Sequence, residues 1–161
     1  MKAIGFNHVS IPARDVDETV RFYEEVFGLE RIPTYNFGFR STYLRCGDLQ
    51  LHVFESDDPP HGGQHFALDV DDFHAVHARA TALGYLDDRH GAAIRELPDG
   101  AVQMYLRDPA GNLVEVDWPD VATLDRARLP GLVRLADQHP QEGENRAATL
   151  YLRGAAGEGT R

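Results

Sequence analysis

Residues 1–119 of this chain pass through the same series of local signals twice, and that repetition limits the fold more than any other feature. Asn7-His8-Val9-Ser10-Ile11 reappears in kind as Gln64-His65-Phe66-Ala67-Leu68. An acidic turn follows each, and then a stretch of helical periodicity that stops at glycine. The first carries Val16, Val20, Tyr23 and Phe27 before Gly28, the second Phe73, Val76, Ala80 and Leu83 before Gly84. Apolar residues three or four apart share one face of a helix, and glycine suits the position just past its end. Asp15 with Glu18 reads as a capping-box start. Beyond the helices, Tyr43-Leu44-Arg45 matches Tyr105-Leu106-Arg107. A turn comes next in both copies, Cys46-Gly47-Asp48 in one and Asp108-Pro109-Ala110-Gly111-Asn112 in the other. Each copy closes on a strand pattern, from Leu49 to Phe54 and from Leu113 to Trp118. Two unrelated strand–helix units would not agree in register at every step, so the order implies a duplicated α+β module.

The first module occupies residues 1–57 and the second 58–119, joined by the polar, Pro/Gly-rich stretch 56–63. No repeat copy accounts for the extension 120–161. Its segment 124–136 is expected to be helical, interrupted or restarted near Pro130, and the residues from Gln141 onward are expected to be a flexible tail with 148–152 as a candidate short strand. The chain is long enough, at 161 residues, to bury a core without staples. Its only cysteine, Cys46, allows no internal disulfide. With 16 Lys and Arg against 26 Asp and Glu, the net charge of −10 argues against nucleic acid or an anionic membrane as a partner. No signal-peptide pattern opens the chain, and no apolar run approaches the roughly 20 residues of a membrane span, so a cytoplasmic protein is expected.

Strand alternation locates the chemistry, because neighbouring residues point to opposite faces. Val9 and Ile11 face the first helix, which turns His8 away from it; Phe66, Leu68 and Val70 do the same for His65. In the closing strands Val114, Val116 and Trp118 oppose Leu113, Glu115 and Asp117, while Leu51 and Val53 oppose Gln50, His52 and Phe54. His8, His52, His65 and Glu115 thus share the concave faces of their sheets. Imidazoles and a carboxylate on rigid strands can hold a first-row divalent ion with positions left open to water or substrate. Singly, His8 or His65 would read as a hydrogen-bonded core histidine and Glu115 as a partner for Arg45 or Arg107. Their coincidence at repeat-equivalent positions points to metal. Gln50 lies on the same face as His52 and competes with it for the fourth position. The same alternation puts Tyr43, Arg45, Phe54, Tyr105 and Arg107 on the pocket side, and two arginines there would favour an anionic substrate. His74 and His77 read as the solvated side of a helix, and His61 as linker.

The segments from Asn7 to Leu29, from Gln64 to Val70 and from Asp108 to Glu115 resemble the glyoxalase, bleomycin-resistance and extradiol-dioxygenase proteins of the vicinal-oxygen-chelate superfamily. The resemblance spans residues from about 5 to 119. It implies two βαβββ modules whose curved mixed sheets surround a metal-binding cavity, followed here by a C-terminal helical extension. It also implies His8, His65 and Glu115 as ligands of a divalent zinc, nickel, iron or manganese ion. The position that is Glu in typical glyoxalase I, and Gln in methylmalonyl-CoA epimerases, falls on His52, as a ligand or a general base. The expected activity is that of a glyoxalase-like lyase or isomerase on a small substrate chelated through adjacent oxygens. An extradiol-type iron dioxygenase and a non-enzymatic drug- or metabolite-binding resistance protein are the alternatives. A two-fold homodimer is expected, both from the resemblance and from the apolar residues Leu124, Leu129, Leu132, Val133 and Ala136 in the extension.

Overall fold

Each half of the chain closes its helix between two cap residues before any sheet is made. In the computed structural model, which describes residues 6–36, 38–58, 60, 63–89 and 91–151, Asp15 accepts a hydrogen bond from the Glu18 amide at 2.9 Å to open α1 (Val16–Phe27). Asp72 does the same for Ala75 at 2.9 Å to open α2 (Phe73–Leu83). Gly28 and Gly84 end the two helices at φ 65° and 75°, a left-handed conformation that a side chain would strain.

Around α1 the first module lays down β1 (His8–Ala13), β2 (Glu30–Ile32), β3 (Ser41–Cys46) and β4 (Leu49–Glu55) in the sheet order β1-β4-β3-β2. Around α2 the second lays down β5 (His65–Asp69), β6 (Ile94–Glu96), β7 (Val102–Arg107) and β8 (Leu113–Trp118) in the order β5-β8-β7-β6. Both are βαβββ modules, and in both the first strand pairs in parallel with the last while the other pairings are antiparallel. The helix-facing residues Ile11, Leu44, Leu51 and Val53 with Val16, Val20 and Tyr23, and Leu68, Met104, Leu106, Val114 and Val116 with Phe73, Val76 and Ala80, are buried. Their burial is the main stabilising term of the fold.

Polar groups join the modules through the turn between β7 and β8. Tyr23 donates to Asp108 Oδ2 at 3.0 Å from the buried face of α1, and Asn112 donates to Pro12 O at 3.0 Å and to Asp108 Oδ2 at 2.8 Å. Phe22 meets Tyr85 edge to face at 4.7 Å, and Arg79 bonds Glu25 at 3.2 Å between the helices. No helix among the described residues is long and apolar enough to cross a membrane.

The extension departs from the single helix expected over 124–136. It makes two 3-10 turns, Val121–Thr123 and Arg126–Arg128, opened by Asp120 and Asp125 side chains. Pro130 and Gly131 follow, and the chain then extends into β9 (Leu132–Arg134), which pairs in parallel with β6, before a four-residue α3 (Leu135–Gln138). Local Asp–amide bonds and a proline compete with the helix, while Leu124 and Leu129 bury themselves as single anchors. A further 3-10 turn spans Gly143–Ala147, and residues 148–151 form no strand. Leu152, like His61 in the linker, lies outside the described residues. Two histidines also depart from the expected solvated surface. His74 Nε2 accepts the amide of Asp125 in the extension at 3.0 Å, and His77 is only 8% exposed.

Arg107 turns out to be structural as well. Its guanidinium donates to Asp87 Oδ2 at 2.6 Å and to Gly111 O at 2.9 Å, and Arg89 adds a second bridge to Asp87 at 2.9 Å. Burial alone would raise the Asp87 carboxyl, but the hydrogen bonds from Arg89 and Arg107 outweigh it and hold the group well below the usual carboxylate range. A carboxylate depressed in the folded state stabilises at pH above its unfolded value, roughly 4, and loses that contribution as pH falls toward its folded value. We therefore expect Asp87→Ala, which strands Arg107, to lower stability in urea by about 3 kcal/mol at pH 7. The gap between wild type and variant should narrow steadily below about pH 4; a gap independent of pH would contradict the pairing.

Candidate metal centre

The parallel pairing within each module brings one histidine of the first strand beside one chelating residue of the last. In the first module His8 and His52 lie face to face, with ring centroids 4.3 Å apart and planes 15° from parallel. Tyr43, directly opposite His52 in the β3–β4 register, stacks on its other side at 3.5 Å. Gln50 Oε1 stands 2.9 Å from His52 Nε2 on the same face, so the two candidates for the fourth position are neighbours. A cavity of about 310 Å³ opens over this wall, lined by His8, Ser10, Phe39, Ser41, Tyr43, His52 and Phe54. Burial, and then the adjacent His8, lower the His52 pKa, which keeps its imidazole neutral near pH 7.

In the second module His65 Nε2 lies 3.2 Å from Glu115 Oε2. Glu115 is 3% exposed, and its other oxygen accepts from the Gln103 amide. Tyr105, opposite Glu115 in the β7–β8 register, packs edge-on against His65 at 6.2 Å. Register makes Glu115 the counterpart of His52, because each faces the equivalent tyrosine of its own module. Asp117, two residues along β8 and 7% exposed, adds a second carboxyl. Burial, then the Glu115 charge and hydrogen bond, push Asp117 up to about 8, so near neutrality Asp117 keeps its proton. Burial and Glu115 also raise the Tyr105 phenol.

The two pairs do not meet within one chain. Among the described residues no group of three or more His, Cys, Asp or Glu side chains comes together to hold one ion. The faces are nonetheless continuous, since a cavity of about 280 Å³ along the β1–β5 seam is lined by Ser10 and Phe54 from one sheet and His65 and Leu113 from the other. The donor chemistry fits a divalent ion, with imidazole nitrogens and a buried carboxylate on rigid strands, but each module carries half of it.

Of the expected pocket residues, Tyr43, Phe54 and Tyr105 stand beside the histidines, whereas the arginines are placed elsewhere. Arg107 serves the Asp87 pair, and Arg45 is exposed and lines a separate groove beside α1 and the start of α2. That removes the arginines as grounds for an anionic substrate. Gln103 and Asp117 were not singled out from the sequence as site residues. Both obey the alternation that located Glu115, and only the absence of an imidazole or a repeat partner of like chemistry hid them.

Residues 5–116 match the family described as the Glyoxalase/Bleomycin resistance protein/Dioxygenase superfamily. The uncharacterized protein YwbC of Bacillus subtilis is 29% identical over 121 residues, which cover 68% of this chain and 93% of that protein. The lactoylglutathione lyase of Agrobacterium tumefaciens has a similar structure, with a TM-score of 0.58 and 25% identity over 77% of this chain and 100% of that one. A mutant of the fosfomycin resistance protein FosX from Listeria monocytogenes, solved with Mn(II) and a dihydroxypropylphosphonic acid, shares the fold at a TM-score of 0.62. It is 18% identical over 75% of this chain and 96% of that one.

Gln103 fixes the orientation of the Glu115 carboxylate. Gln103→Leu should weaken zinc binding about 10- to 100-fold in calorimetric titration, the usual effect of losing a partner that orients a ligand. Unchanged affinity would mean that Glu115 does not need that contact.

Proposed function

On the premise that the chain belongs to the Glyoxalase/Bleomycin resistance protein/Dioxygenase superfamily, we propose that it is a divalent-metal-dependent lyase or isomerase of glyoxalase type. Its substrate would be a small molecule engaged through two adjacent oxygens. Its metal would be held by His8 of one copy and by His65 and Glu115 of a second copy, the two chains forming a two-fold dimer. The observation that carries this reading is the division of the donors. His65 and Glu115 are already 3.2 Å apart, while His8 stands with His52 on the neighbouring sheet. A symmetric dimer gives each half the complement it lacks and makes two equal sites.

The metal, when bound, supplies positive charge against the adjacent substrate oxygens, so that a proton next to them is more readily released. His52 is placed for the proton itself. It occupies the counterpart of the Glu115 position, it is neutral near pH 7, and Gln50 with Tyr43 fixes its ring. Gln103 and Tyr105 orient Glu115, and Tyr43 and Phe54 exclude water from one wall. Two imidazoles and one carboxylate suit zinc, nickel, iron or manganese.

One observation favours a second reading, an iron-dependent ring-cleaving dioxygenase. The wall of Phe39, Tyr43, His52 and Phe54 beside His8 is aromatic and suits a planar ring. Oxygen consumption with catechol-type compounds separates this reading from the first.

Protein expressed with zinc, nickel, iron and manganese available should carry about one metal per chain. His8→Ala, His65→Ala and Glu115→Ala should each lose most of it, and His52→Ala should lose less. Wild-type protein without metal would sink the enzyme reading. Mixing unfolded His8→Ala and Glu115→Ala chains and refolding them together should restore about a quarter of the wild-type sites, because half the dimers are mixed and each has one intact site. Sites contained within single chains would give no recovery.

A further inference from the structure

Beyond residue 116, where the family match ends, the chain crosses the second sheet from one edge to the other. β9 adds to the β6 edge, and Tyr151 then donates to Asp69 Oδ1 on β5, the opposite edge, at 2.9 Å. Register sets a row of side chains under that crossing. Asp69 pairs with Asp117, Asp117 with Gln103, Gln103 with Arg95, and Arg95 with Val133. By strand alternation Asp69 and Asp117 share the face of His65 and Glu115.

Two features of this row point to a ligand. Asp117 is only 7% exposed and its Oδ1 has no hydrogen-bond partner, a costly state for an acceptor enclosed in protein. The Tyr151 phenol, set among Asp69, Asp117 and Asp99, is a donor brought in from a segment that no repeat copy requires. The charge balance then selects the ligand. Even with Asp117 holding its proton, Glu115 and Asp69 leave this face acidic against Arg95 among the described residues, since Arg107 is paired with Asp87.

We propose that the Asp69–Asp117 end of the second sheet is a subsite for a cationic N–H donor of the substrate, an ammonium or guanidinium group, and that Tyr151 is a displaceable stand-in making the bond such a group would make. The proposal rests on the reading of the adjoining His65–Glu115 pair as part of the reaction centre, and it places the substrate's cationic end toward the C-terminal ends of β5 and β8. Asp69 is exposed and meets the incoming group first, and Asp117 Oδ1 gains the partner it lacks once the phenol leaves.

The test uses full-length protein, metal-free and zinc-loaded, titrated with n-butylammonium, butan-1-ol and butyrate while backbone amide NMR shifts are followed. Butylammonium should shift Asp69, Asp117 and Tyr151 saturably, butan-1-ol should bind at least about fivefold more weakly, and butyrate should not bind there. Asp69→Asn, a surface change that spares the fold, should weaken butylammonium about fivefold or more. Tyr151→Phe should tighten it roughly three- to tenfold, the range of one net hydrogen bond released from competition. Equal binding of butan-1-ol or butyrate, shifts confined to other residues, or a Tyr151→Phe protein that binds no more tightly would each overturn the proposal. Metal-free protein that binds the amine but never loads zinc would instead leave the subsite standing and remove the metal reading.

Discussion

Parallel pairing of the first and last strands of each module is the constraint from which the rest of this structure follows. A parallel pair needs a crossover, and the helix that supplies it must lie on one face of the sheet. α1 and α2 take that role, and they bury Ile11, Leu51 and Val53 in one module and Leu68, Val114 and Val116 in the other. The period of two then turns every intervening residue to the uncovered face. His8 comes beside His52, and His65 beside Glu115, because those residues have no other side on which to be. A shift of one residue in either pairing would send the polar set into the apolar core, at a free-energy cost no small domain could absorb.

That same regularity made the modules readable from the amino-acid pattern. The caps Asp15 and Gly28, and the repeat-matched Tyr43 and Tyr105, mark element ends and strand phase by local rules alone. The repeat equivalence of His52 and Glu115 needed the β3–β4 and β7–β8 registers, which set Tyr43 opposite His52 and Tyr105 opposite Glu115. Arg107 shows where phase is insufficient. Its position on β7 gives the side it leaves from, but its guanidinium follows Asp87, a residue of the loop after α2 that no periodicity brings near. The extension was least legible. Leu124, Leu129 and Leu132 suggest a helix by spacing, yet Asp120, Asp125 and Pro130 each favour a turn, and β6 offers an edge that a short strand can satisfy. His74 was misplaced for the same reason, since its partner Asp125 belongs to a segment outside the repeat, and His77 is buried as well.

The distribution of charge explains how an acidic chain tolerates carboxyls in its interior. Each buried acid has a different remedy. Asp87 is held by two arginines, Asp108 by Tyr23 and Asn112, and Glu115 by Gln103 and His65. Asp117 stands beside Glu115, a like charge, and relieves the repulsion by retaining its own proton. The first two arrangements are complete and bind the modules into one core. The last leaves Asp117 Oδ1 without a partner, and it lies with Glu115 on the uncovered face. Incomplete satisfaction of buried polar groups concentrates where a further atom is meant to come.

An open curved face also carries an apolar cost of its own. Phe6, Tyr35 and Phe39 are 88%, 75% and 53% exposed, all in the first module and flanking the strands that carry His8 and Tyr43. Aromatic side chains grouped at the rim of a concave sheet are more than the scattered exposure that any surface shows. The polar half-sites and the aromatic rim ask for the same remedy, a curved surface of opposite polarity that brings donors to His8 and apolar cover to the rings. The second module carries candidate donors, but beside the first along the β1–β5 seam it brings none of them into one group with His8 among the described residues. Under the dimer reading, association buries the rim while the metal joins the half-sites, so the two equilibria are linked: an ion that binds only the paired form strengthens pairing as its concentration rises. The duplicated module would then be the reason for the dimer: on that reading each chain contains both halves of a site, arranged so that neither can use its own.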